Sequence, residues 1–301
     1  MKFSKGHHLH LIDGSAFIFR AYHALPPLTR SSDGLPVGAV SGFCNMLFRY
    51  IQNNTGVDAA THAAVIFDHS GKSFRNDIYK DYKANRPPAP EDLVPQFPLT
   101  RDATKAFNIS CKEVEGFEAD DIIATLACRA REAGGRVTII SSDKDLMQLV
   151  GDGVEMFDAM KNRRINRDAV IEKFGVNPEL VVDVQALAGD SVDNVPGAPG
   201  IGVKTAAELI TVYGSLENLL DKAHEIKQPK RRETLINFEE QIRVSKQLVE
   251  LDCSMELDFS IEELVVSPPQ MDELVGFLQK MEFRTILKRV SEQFDVELAK
   301  L

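Results

Sequence analysis

A regular alternation of short β-rich runs with helical patterns, over about the first 175 residues, constrains the fold of this chain more than any other feature. The β-rich runs are HLHLID, AAVIFD, ISCKEV and RVTIISSD, and a helical pattern lies between each run and the next. Strands that alternate with helices predict an α/β fold with a mainly parallel sheet and helices on both faces. Beyond Pro178 helical patterns dominate. We therefore predict an α/β domain over residues 1–176 and a helical region over residues 177–301.

The composition, with 44% hydrophobic and 27% charged residues, predicts a soluble globular protein. Lys2 and Lys5 precede an apolar run that Asp13 interrupts, which argues against a signal peptide and a membrane span, so we expect a cytoplasmic protein. The cysteines form no CxxC pair, which argues against structural zinc and is typical of a reducing compartment. We expect them to be small buried apolar residues: Cys44, Cys111, Cys128 and Cys253.

Acidic residues recur at the ends of the predicted strands. Asp13, Asp68 and Asp143 each close a β-rich run, and the carboxyl ends of parallel strands share one edge of a sheet, where ligands bind. The EADD cluster opens a helix after another strand, and GDSVDN is a turn-rich loop able to fold over the same edge. The full set of carboxylates predicted at this edge is Asp13, Asp68, Glu118, Asp120, Asp121, Asp143, Asp145, Asp190 and Asp193.

So many carboxylates at one edge indicate a metal site. Like charges that lie close together raise each other's pKa and repel, unless cations neutralise them. Mg2+ prefers oxygen ligands and works beside phosphates, and a pair of such ions roughly 4 Å apart serves phosphodiester hydrolysis. Each aspartate alone is equally compatible with a turn or a cap, and acids in the first turn of a helix interact well with its positive end. Nine independent caps at one edge are a weaker explanation.

A glycine-rich stretch, VPGAPGIGVKTAAELI, predicts a second kind of site. Gly197, Gly200 and Gly202 permit a tight hairpin, and the helix that follows offers free N–H groups to phosphate. The pattern resembles the helix-hairpin-helix element that holds nucleic-acid backbones. Lys204 adds a charge for phosphate, although a solvated surface lysine is the alternative.

A basic segment lies between Ser70 and Pro90, where the net charge is +3. Phe74, Tyr79 and Tyr82 interleave with its bases, a combination typical of strands held by charge and base stacking. An amphipathic surface helix that ends at NRPP is the alternative. The bases are Lys72, Arg75, Lys80, Lys83 and Arg86.

Two further patterns are weaker. The run from Lys227 to Arg232 fits a DNA contact or a solvated loop, and HHLH near the start fits a structural role.

Together these motifs resemble a known family. IDGSAFIFRAYHAL, VIFD, YKANRPP, EGFEADDIIATLA, SSDKDLMQLV and GDSVDNVPGAPGIGVKTA occur in the order found in the 5'-nuclease domain of bacterial DNA polymerase I, a relative of the flap endonucleases. The resemblance implies a PIN-like α/β core, a helical arch at about residues 70–100 and a helix-hairpin-helix DNA-binding region at about residues 185–213. It also implies 5'-to-3' exonuclease and flap endonuclease activity in primer removal, replication and repair. Family members continue into proofreading and polymerase domains, so the chain fits either a free-standing nuclease or one domain of a longer protein.

The resemblance also assigns roles to residues. First-metal ligands are Asp13, Asp68, Glu118 and Asp120, and the second-metal side comprises Asp121, Asp143, Asp145, Asp190 and Asp193. Catalytic contacts to the scissile phosphate are Lys83, Arg86 and Arg20. DNA contacts are Arg75, Tyr82, Lys83, Arg86, Gly200, Gly202, Lys204 and Thr205, with K+ at the hairpin.

We therefore predict a monomeric, Mg2+-dependent phosphodiesterase, with Mn2+ as a substitute, that acts on DNA 5' ends, flaps, nicked or gapped duplexes and RNA primers on DNA. A PIN-type ribonuclease is one alternative. A non-catalytic helix-hairpin-helix DNA-binding module is another, which the complete acidic set opposes. An aspartyl phosphatase is disfavoured, because GSAF follows Asp13 and no DxD pair is present there.

Overall fold

The computed structural model describes residues 2–69 and 71–296. Its centre is a six-stranded sheet in the order β3-β2-β1-β4-β5-β6, in which all neighbours are parallel except β5 and β6. The strands are β1 His8–Asp13, β2 His62–Ile66, β3 Ser110–Lys112, β4 Arg136–Ile140, β5 Val154–Asp158 and β6 Arg163–Ile165. The mainly parallel sheet that the sequence predicts is confirmed. The strand order reverses direction between β1 and β4, and open α/β sheets bind ligands beside such a reversal.

Helices cover both faces of this sheet. The first half of the chain contributes α1 Gly14–Ala24, α2 Gly38–Asn53, α3 Arg75–Ile78, α4 Gln96–Ala106, α5 Ala119–Glu132 and α6 Arg167–Phe174. Side chains alternate along β1, so that Leu9 and Leu11 join the core beneath α5, whereas Ile12 joins the core beneath α1 and α2. This burial on both faces explains why the strand runs are almost continuously apolar.

The second half of the chain is helical. Its helices are α7 Val181–Ala188, α8 Val203–Tyr213, α9 Leu216–Asp221, α10 Pro229–Asn237, α11 Glu239–Val249, α12 Met271–Lys280 and α13 Arg284–Phe294. Short 3-10 helices occur at Gly56–Asp58, Asp145–Leu149, Pro178–Leu180, Ala223–Glu225 and Ile261–Glu263. Helices α7 to α11 share the core of α5, but α12 and α13 pack on the opposite face with α2 and α4. The region predicted as 177–301 therefore touches both faces of the sheet.

The cysteines are not all the unpaired apolar residues that we expected. Cys44 is fully buried, as predicted, but Cys128 on α5 and Cys253 are joined in a disulfide, with their Cα atoms 5.9 Å apart. The pairing arises because the chain after α11 returns along α5. Their separation of 125 positions gave no local signal of this contact.

The histidines of β1 are buried polar residues of the sheet. His8 Nε2 lies 2.8 Å from Thr138 Oγ1, and His10 Nδ1 lies 3.1 Å from Tyr50 Oη. Within residues 2–69 and 71–296, the only group of His, Cys, Asp or Glu side chains close enough to hold a metal ion consists of aspartates, so HHLH lies outside any such group. No helix in this part of the chain is both long and apolar enough to cross a membrane.

Candidate metal centre and nucleic-acid interface

The carboxyl ends of the central strands bring the first carboxylates together. Asp13 ends β1 and caps α1, accepting hydrogen bonds from the backbone N of Ala16 at 2.9 Å and from Ser141 Oγ at 2.8 Å. Asp68 follows β2, and its Oδ1 accepts a hydrogen bond from the backbone N of Ala119 at 2.8 Å. This bond ties the strand end to the start of α5. The convergence of Asp13 and Asp68 at one edge follows from the parallel pairing of β1 and β2.

The EADD cluster forms the start of α5. Glu118 is the N-cap residue and forms a reciprocal capping box with Asp121. The Glu118 carboxylate also accepts hydrogen bonds from Ser73 Oγ and Tyr82 Oη, both at 3.2 Å. Glu118 and Asp120 line the same cavity as Asp13. Helix capping and cavity lining are therefore combined in one turn.

Asp121 points the other way, which contradicts its predicted place on the metal side. It is fully buried and pairs with the Arg75 guanidinium through contacts of 2.6 and 2.8 Å. Arg75 is only 1% exposed and also donates to the backbone oxygens of Leu248 at 2.7 Å and Glu250 at 3.0 Å. Arg75 also lines the cavity, whereas Asp121 is not among its lining residues in the described part of the chain. The physical reason is the helical rotation between neighbouring positions, which turns Asp121 into the interior while Asp120 faces the cavity.

A second acidic group faces the first. Carboxylate oxygens of Asp145, Asp190 and Asp193 lie within 4.8 Å of one another. Gln185 Nε2 on α7 donates to Asp145 Oδ1 at 2.5 Å, and Lys144 Nζ lies 2.5 Å from Asp190 Oδ2. The α/β part and the helical part of the chain thus contribute to one acidic group.

A cavity of about 180 Å³ joins the two groups. All the predicted carboxylates except Asp121 line it, namely Asp13, Asp68, Glu118, Asp120, Asp143, Asp145, Asp190 and Asp193. Lys83 and Arg86 lie at the same cavity, whereas Arg20, on α1, is not among its lining residues in the described part of the chain.

Burial and mutual repulsion perturb these acids. Burial, with the nearby charges of Asp143 and Asp68, raises the pKa of Asp13 to about 7. Burial, with the charge of Asp143, raises the pKa of Asp145 to about 6. Burial, followed by the charges of Asp143 and Asp13, raises the pKa of Asp120 well above its usual value. Such a group gains from any cation that neutralises it, and oxygen-rich donor sets of this kind fit hard divalent ions.

The basic segment, in its described residues 71–90, lies over the carboxylates. Among residues 71–95 the only α-helix is α3, which spans four residues. Tyr82 is 5% exposed, and its hydroxyl donates to Glu118. Lys83 adopts a left-handed backbone conformation with φ of 57°, and its Nζ lies 2.8 Å from Glu118 Oε1 and 3.8 Å from Asp193 Oδ2. Arg86 pairs with Asp193. Tyr82 is therefore largely buried but still lines the cavity, and its role as a DNA contact stays a prediction.

Hydrogen bonds to backbone oxygens hold this segment against residues 190–194. The backbone N of Lys83 donates to the backbone oxygen of Asp193 at 2.9 Å, and Asn85 Nδ2 donates to the Ser191 oxygen at 2.8 Å. Asn194 Nδ2 donates in the reverse direction to the Asp81 oxygen at 2.6 Å. Segments 81–86 and 190–194 consequently cover one side of the cavity together.

The glycine-rich hairpin continues directly from the second acidic group. Asp190 and Val195 exchange backbone hydrogen bonds of 2.9 and 2.7 Å, which close the acidic loop. Gly189 and Gly197 both have positive φ and touch, so that a Cβ atom built on Gly197 would lie 2.4 Å from the Gly189 N atom. Gly202 then caps α8, and Lys204 in its first turn is exposed. The predicted hairpin between two helices is present, with its outer backbone open to solvent.

Family models match almost the whole chain. Residues 8–175 match the 5'-3' exonuclease N-terminal resolvase-like domain, and residues 176–272 match the 5'-3' exonuclease C-terminal SAM fold. The chain belongs to the 5'-3' exonuclease family. The boundary between the matched domains falls between α6 and α7.

Curated relatives of this 5'-3' exonuclease family member support the assignment. DNA polymerase I of Rhizobium leguminosarum is 56% identical over 299 residues, which cover 98% of this chain and 29% of the relative. The 5'-3' exonuclease of Aquifex aeolicus is 39% identical over 286 residues, which cover 95% of this chain and 96% of the relative. The chain thus spans less than a third of the length of the Rhizobium polymerase and nearly all of the Aquifex protein.

Solved structures share the fold. The T5 D15 protein co-crystallised with metal ions superposes with a TM-score of 0.67 at 22% identity, over 92% of this chain and 98% of that one. The catalytic core of Rad2 in complex with DNA substrate gives a TM-score of 0.56 at 16% identity, over 93% of this chain and 88% of that one. The predicted α/β sheet followed by a helical region is confirmed.

Some residues of the site carried no signal in the sequence. Ser141 holds Asp13, Gln185 holds Asp145, and Lys144 neutralises Asp190. Phe19 is 41% exposed beside the cavity that it lines. Ser141 and Lys144 lie inside the SSDKD motif, where position relative to the acids was the only available hint. Gln185 reaches the site from a different half of the chain.

Proposed function

We propose that the chain is a divalent-metal-dependent nuclease that hydrolyses DNA phosphodiesters at 5' ends and flaps, as a 5'-to-3' exonuclease and flap endonuclease. The observation that carries this proposal is the single cavity lined by eight carboxylates with lysine and arginine at its margin. Family membership supports the reaction type, and the structural relatives include T5 flap endonuclease in a complex with DNA and metal ions.

Two subsets of carboxylates suit two ions. Asp13, Asp68, Asp120 and Glu118 would hold one ion, directly or through water, and Asp143 with the group of Asp145, Asp190 and Asp193 would hold the other. Mg2+ is the proposed ion, with Mn2+ as a substitute, because every donor is an oxygen atom. Bound there, the ions would supply the positive charge that activates water and stabilises the leaving oxygen of a phosphodiester.

The chain's own bases would complete the charge balance. Lys83 and Arg86 now pair with Glu118 and Asp193, two of the proposed metal ligands. They become available to a phosphate once another cation neutralises these carboxylates. An ammonium and a guanidinium beside the scissile phosphate would then stabilise the charge that develops in the transition state. Arg20 is proposed as a further contact to this phosphate, from the same helix that Asp13 caps.

The hairpin would hold the duplex. Its open backbone at Gly200 and Gly202, with Lys204 and Thr205 at the start of α8, offers N–H groups and charge to a phosphate, and K+ is proposed to bridge the hairpin to the DNA backbone. Such contacts read no base sequence, which fits a nuclease that recognises structure. The protein is proposed to act as a monomer.

Cleavage of a labelled 5'-flap DNA tests the proposal. We expect cutting near the flap junction with Mg2+, no cutting with EDTA, and no comparable cutting of a matched single-stranded RNA. Asp143→Ala should abolish cleavage but retain DNA binding measured in Ca2+. Asp168→Ala, which changes an exposed aspartate on α6, is the matched control and should cleave normally. Preferred cutting of the RNA would support a PIN-type ribonuclease, and DNA binding without any cutting would support a non-catalytic module.

A further inference from the structure

A short strap lies along one face of α5. We define the strap as residues 250–255, the segment that follows α11. Its backbone N at Asp252 donates to Asp121 Oδ1 at 3.1 Å, and Thr125 Oγ1 donates to the backbone oxygen of Asp252 at 2.7 Å. Farther along, Arg129 donates to the backbone oxygen of Met255. Because contacts at positions 121, 125 and 129 recur every four residues, the strap follows one helical face.

The disulfide sits in this row of contacts. Cys128 lies on the same face of α5 and is 8% exposed, whereas Cys253 in the strap is exposed. Arg131 Nη2 lies 3.9 Å from Cys128 Sγ. The bond is thus the one covalent element among hydrogen bonds that join strap and helix in the described part of the chain.

The strap also supports the metal-binding end of α5. The Asp121 carboxylate accepts a hydrogen bond from the backbone N of Asp252 in the strap and pairs with Arg75 of the basic segment. Its Oδ2 also accepts a hydrogen bond from the backbone N of Glu118 at 3.3 Å. Arg75 in turn donates to the strap oxygen of Glu250. Hydrogen bonds therefore link the strap to Glu118 through Asp121.

We propose that Cys128 and Cys253 form a reversible thiol–disulfide site, which fixes the strap on α5 when oxidised and loosens the metal-binding end of the helix when reduced. The co-reactant is a dithiol, either a small molecule or a protein with a reactive cysteine pair. The sequence indicates a reducing compartment, and disulfides in such compartments are usually transient or redox-sensing. The strap contacts Asp121 and Arg75 near the start of the helix, which gives this bond a route to activity.

The exposures of the two cysteines determine which sulfur atom the reductant attacks. A thiolate of the dithiol attacks the exposed Sγ of Cys253, the S–S bond breaks, and Cys128 leaves as a thiolate beside the Arg131 guanidinium. The second thiol of the dithiol then attacks the mixed disulfide and releases Cys253. Two electrons and two protons pass to the protein, and the dithiol becomes a disulfide.

Thiol counting and melting test the bond itself. Protein purified without reductant and denatured with a thiol-trapping reagent should show two free thiols, those of Cys44 and Cys111, and all four after treatment with dithiothreitol. Four free thiols before reduction would overturn the proposal. Reduction should lower the melting temperature by about 5–10 °C, because the bond closes a long loop. Cys253→Ser should melt like the reduced protein and ignore dithiothreitol, whereas the control Cys111→Ser should still respond.

The effect on metal binding rests on the proposed function and needs a separate measurement. Mn2+ binding, followed by electron paramagnetic resonance, should weaken by about tenfold on reduction of the unaltered protein, because groups that support a metal ligand typically contribute that much. Cys253→Ser should bind Mn2+ equally weakly with or without dithiothreitol. Equal Mn2+ affinity in both redox states would refute the link to the metal site. Absence of DNA cleavage in both states, with the redox-dependent affinity intact, would instead count against the proposed function alone.

Discussion

The buried pair of Arg75 and Asp121 gives a test that separates a structural carboxylate from a metal ligand. Asp121→Ala would leave the Arg75 guanidinium, which is 1% exposed, without its bidentate partner. Glu118 remains at 3.7 Å but is a distant replacement. Loss of one partner of a buried ion pair costs about 3–5 kcal/mol. Urea unfolding in EDTA should show this loss of stability, and thermal melting should show a fall in Tm of about 5–8 °C.

Asp120 is the matched control, since it is the next residue of the same helical turn. Its pKa is raised well above the usual value, chiefly by burial, so the ionised form is disfavoured in the folded protein without metal. Asp120→Ala should therefore stabilise the metal-free protein at neutral pH. Added Mg2+ stabilises the folded state by an amount that increases with its affinity for that state. We expect this gain to shrink in Asp120→Ala and to persist in Asp121→Ala.

One result would refute this reasoning. If Asp121→Ala unfolds at the same urea concentration as the unaltered protein in EDTA but no longer gains stability from Mg2+, Asp121 is a metal ligand. The double variant Arg75→Met with Asp121→Leu provides a further check, because replacing both charges of a buried pair by apolar groups is often neutral. It should recover most of the stability that Asp121→Ala loses.

Three other predictions concern the basic segment, the hairpin and the sheet. Lys83→Ala should slow flap cleavage more than it weakens duplex binding, as measured by single-turnover rates and by titration in Ca2+; equal losses would make this lysine a general phosphate contact. Gly197→Ala should unfold at lower urea and bind duplex weakly, since its new Cβ would meet the backbone at 2.4 Å. Gly200 also has a positive φ but faces open space, so Gly200→Ala should lose much less stability. Burial lowers the pKa of His10 to about 3, so the unfolded chain alone takes up this proton and stability should fall as pH drops from about 6.5 towards 3. His10→Gln should reduce this acid sensitivity in thermal melts, and an unchanged slope, or an equal reduction in the exposed control His23→Gln, would exclude His10 as its source.

The sequence predicted the acidic edge because the edge depends on a local rule. Asp13, Asp68 and Asp143 follow strand runs, and parallel pairing alone brings their carboxylates together. The hairpin was equally predictable, since its glycines sit where positive φ and close backbone contact require them. In both cases a local sequence pattern corresponds directly to a local requirement of the backbone.

What the sequence could not predict depends on contacts between distant segments. The letters EADD do not show which carboxylate turns inwards, and Arg75, its partner, lies 46 positions away. The basic segment has the composition of a nucleic-acid contact, yet Tyr82 is buried in the core, and its hydroxyl donates to Glu118, 36 positions away. The pairing of Cys128 with Cys253 depends on the path of the strap along α5, which no short motif encodes.

The close contact between Gly189 and Gly197 has a consequence for the length of the products. These glycines join the loop that carries Asp190 and Asp193 to the hairpin proposed to grip the duplex, and their backbones pack directly against each other beside the hydrogen bonds between Asp190 and Val195. For a nuclease built this way, the distance between the gripped phosphates and the cleaved bond is constant. The cutting position is then counted from the duplex junction, and the same few-nucleotide spacing should recur on flaps of any length and any sequence.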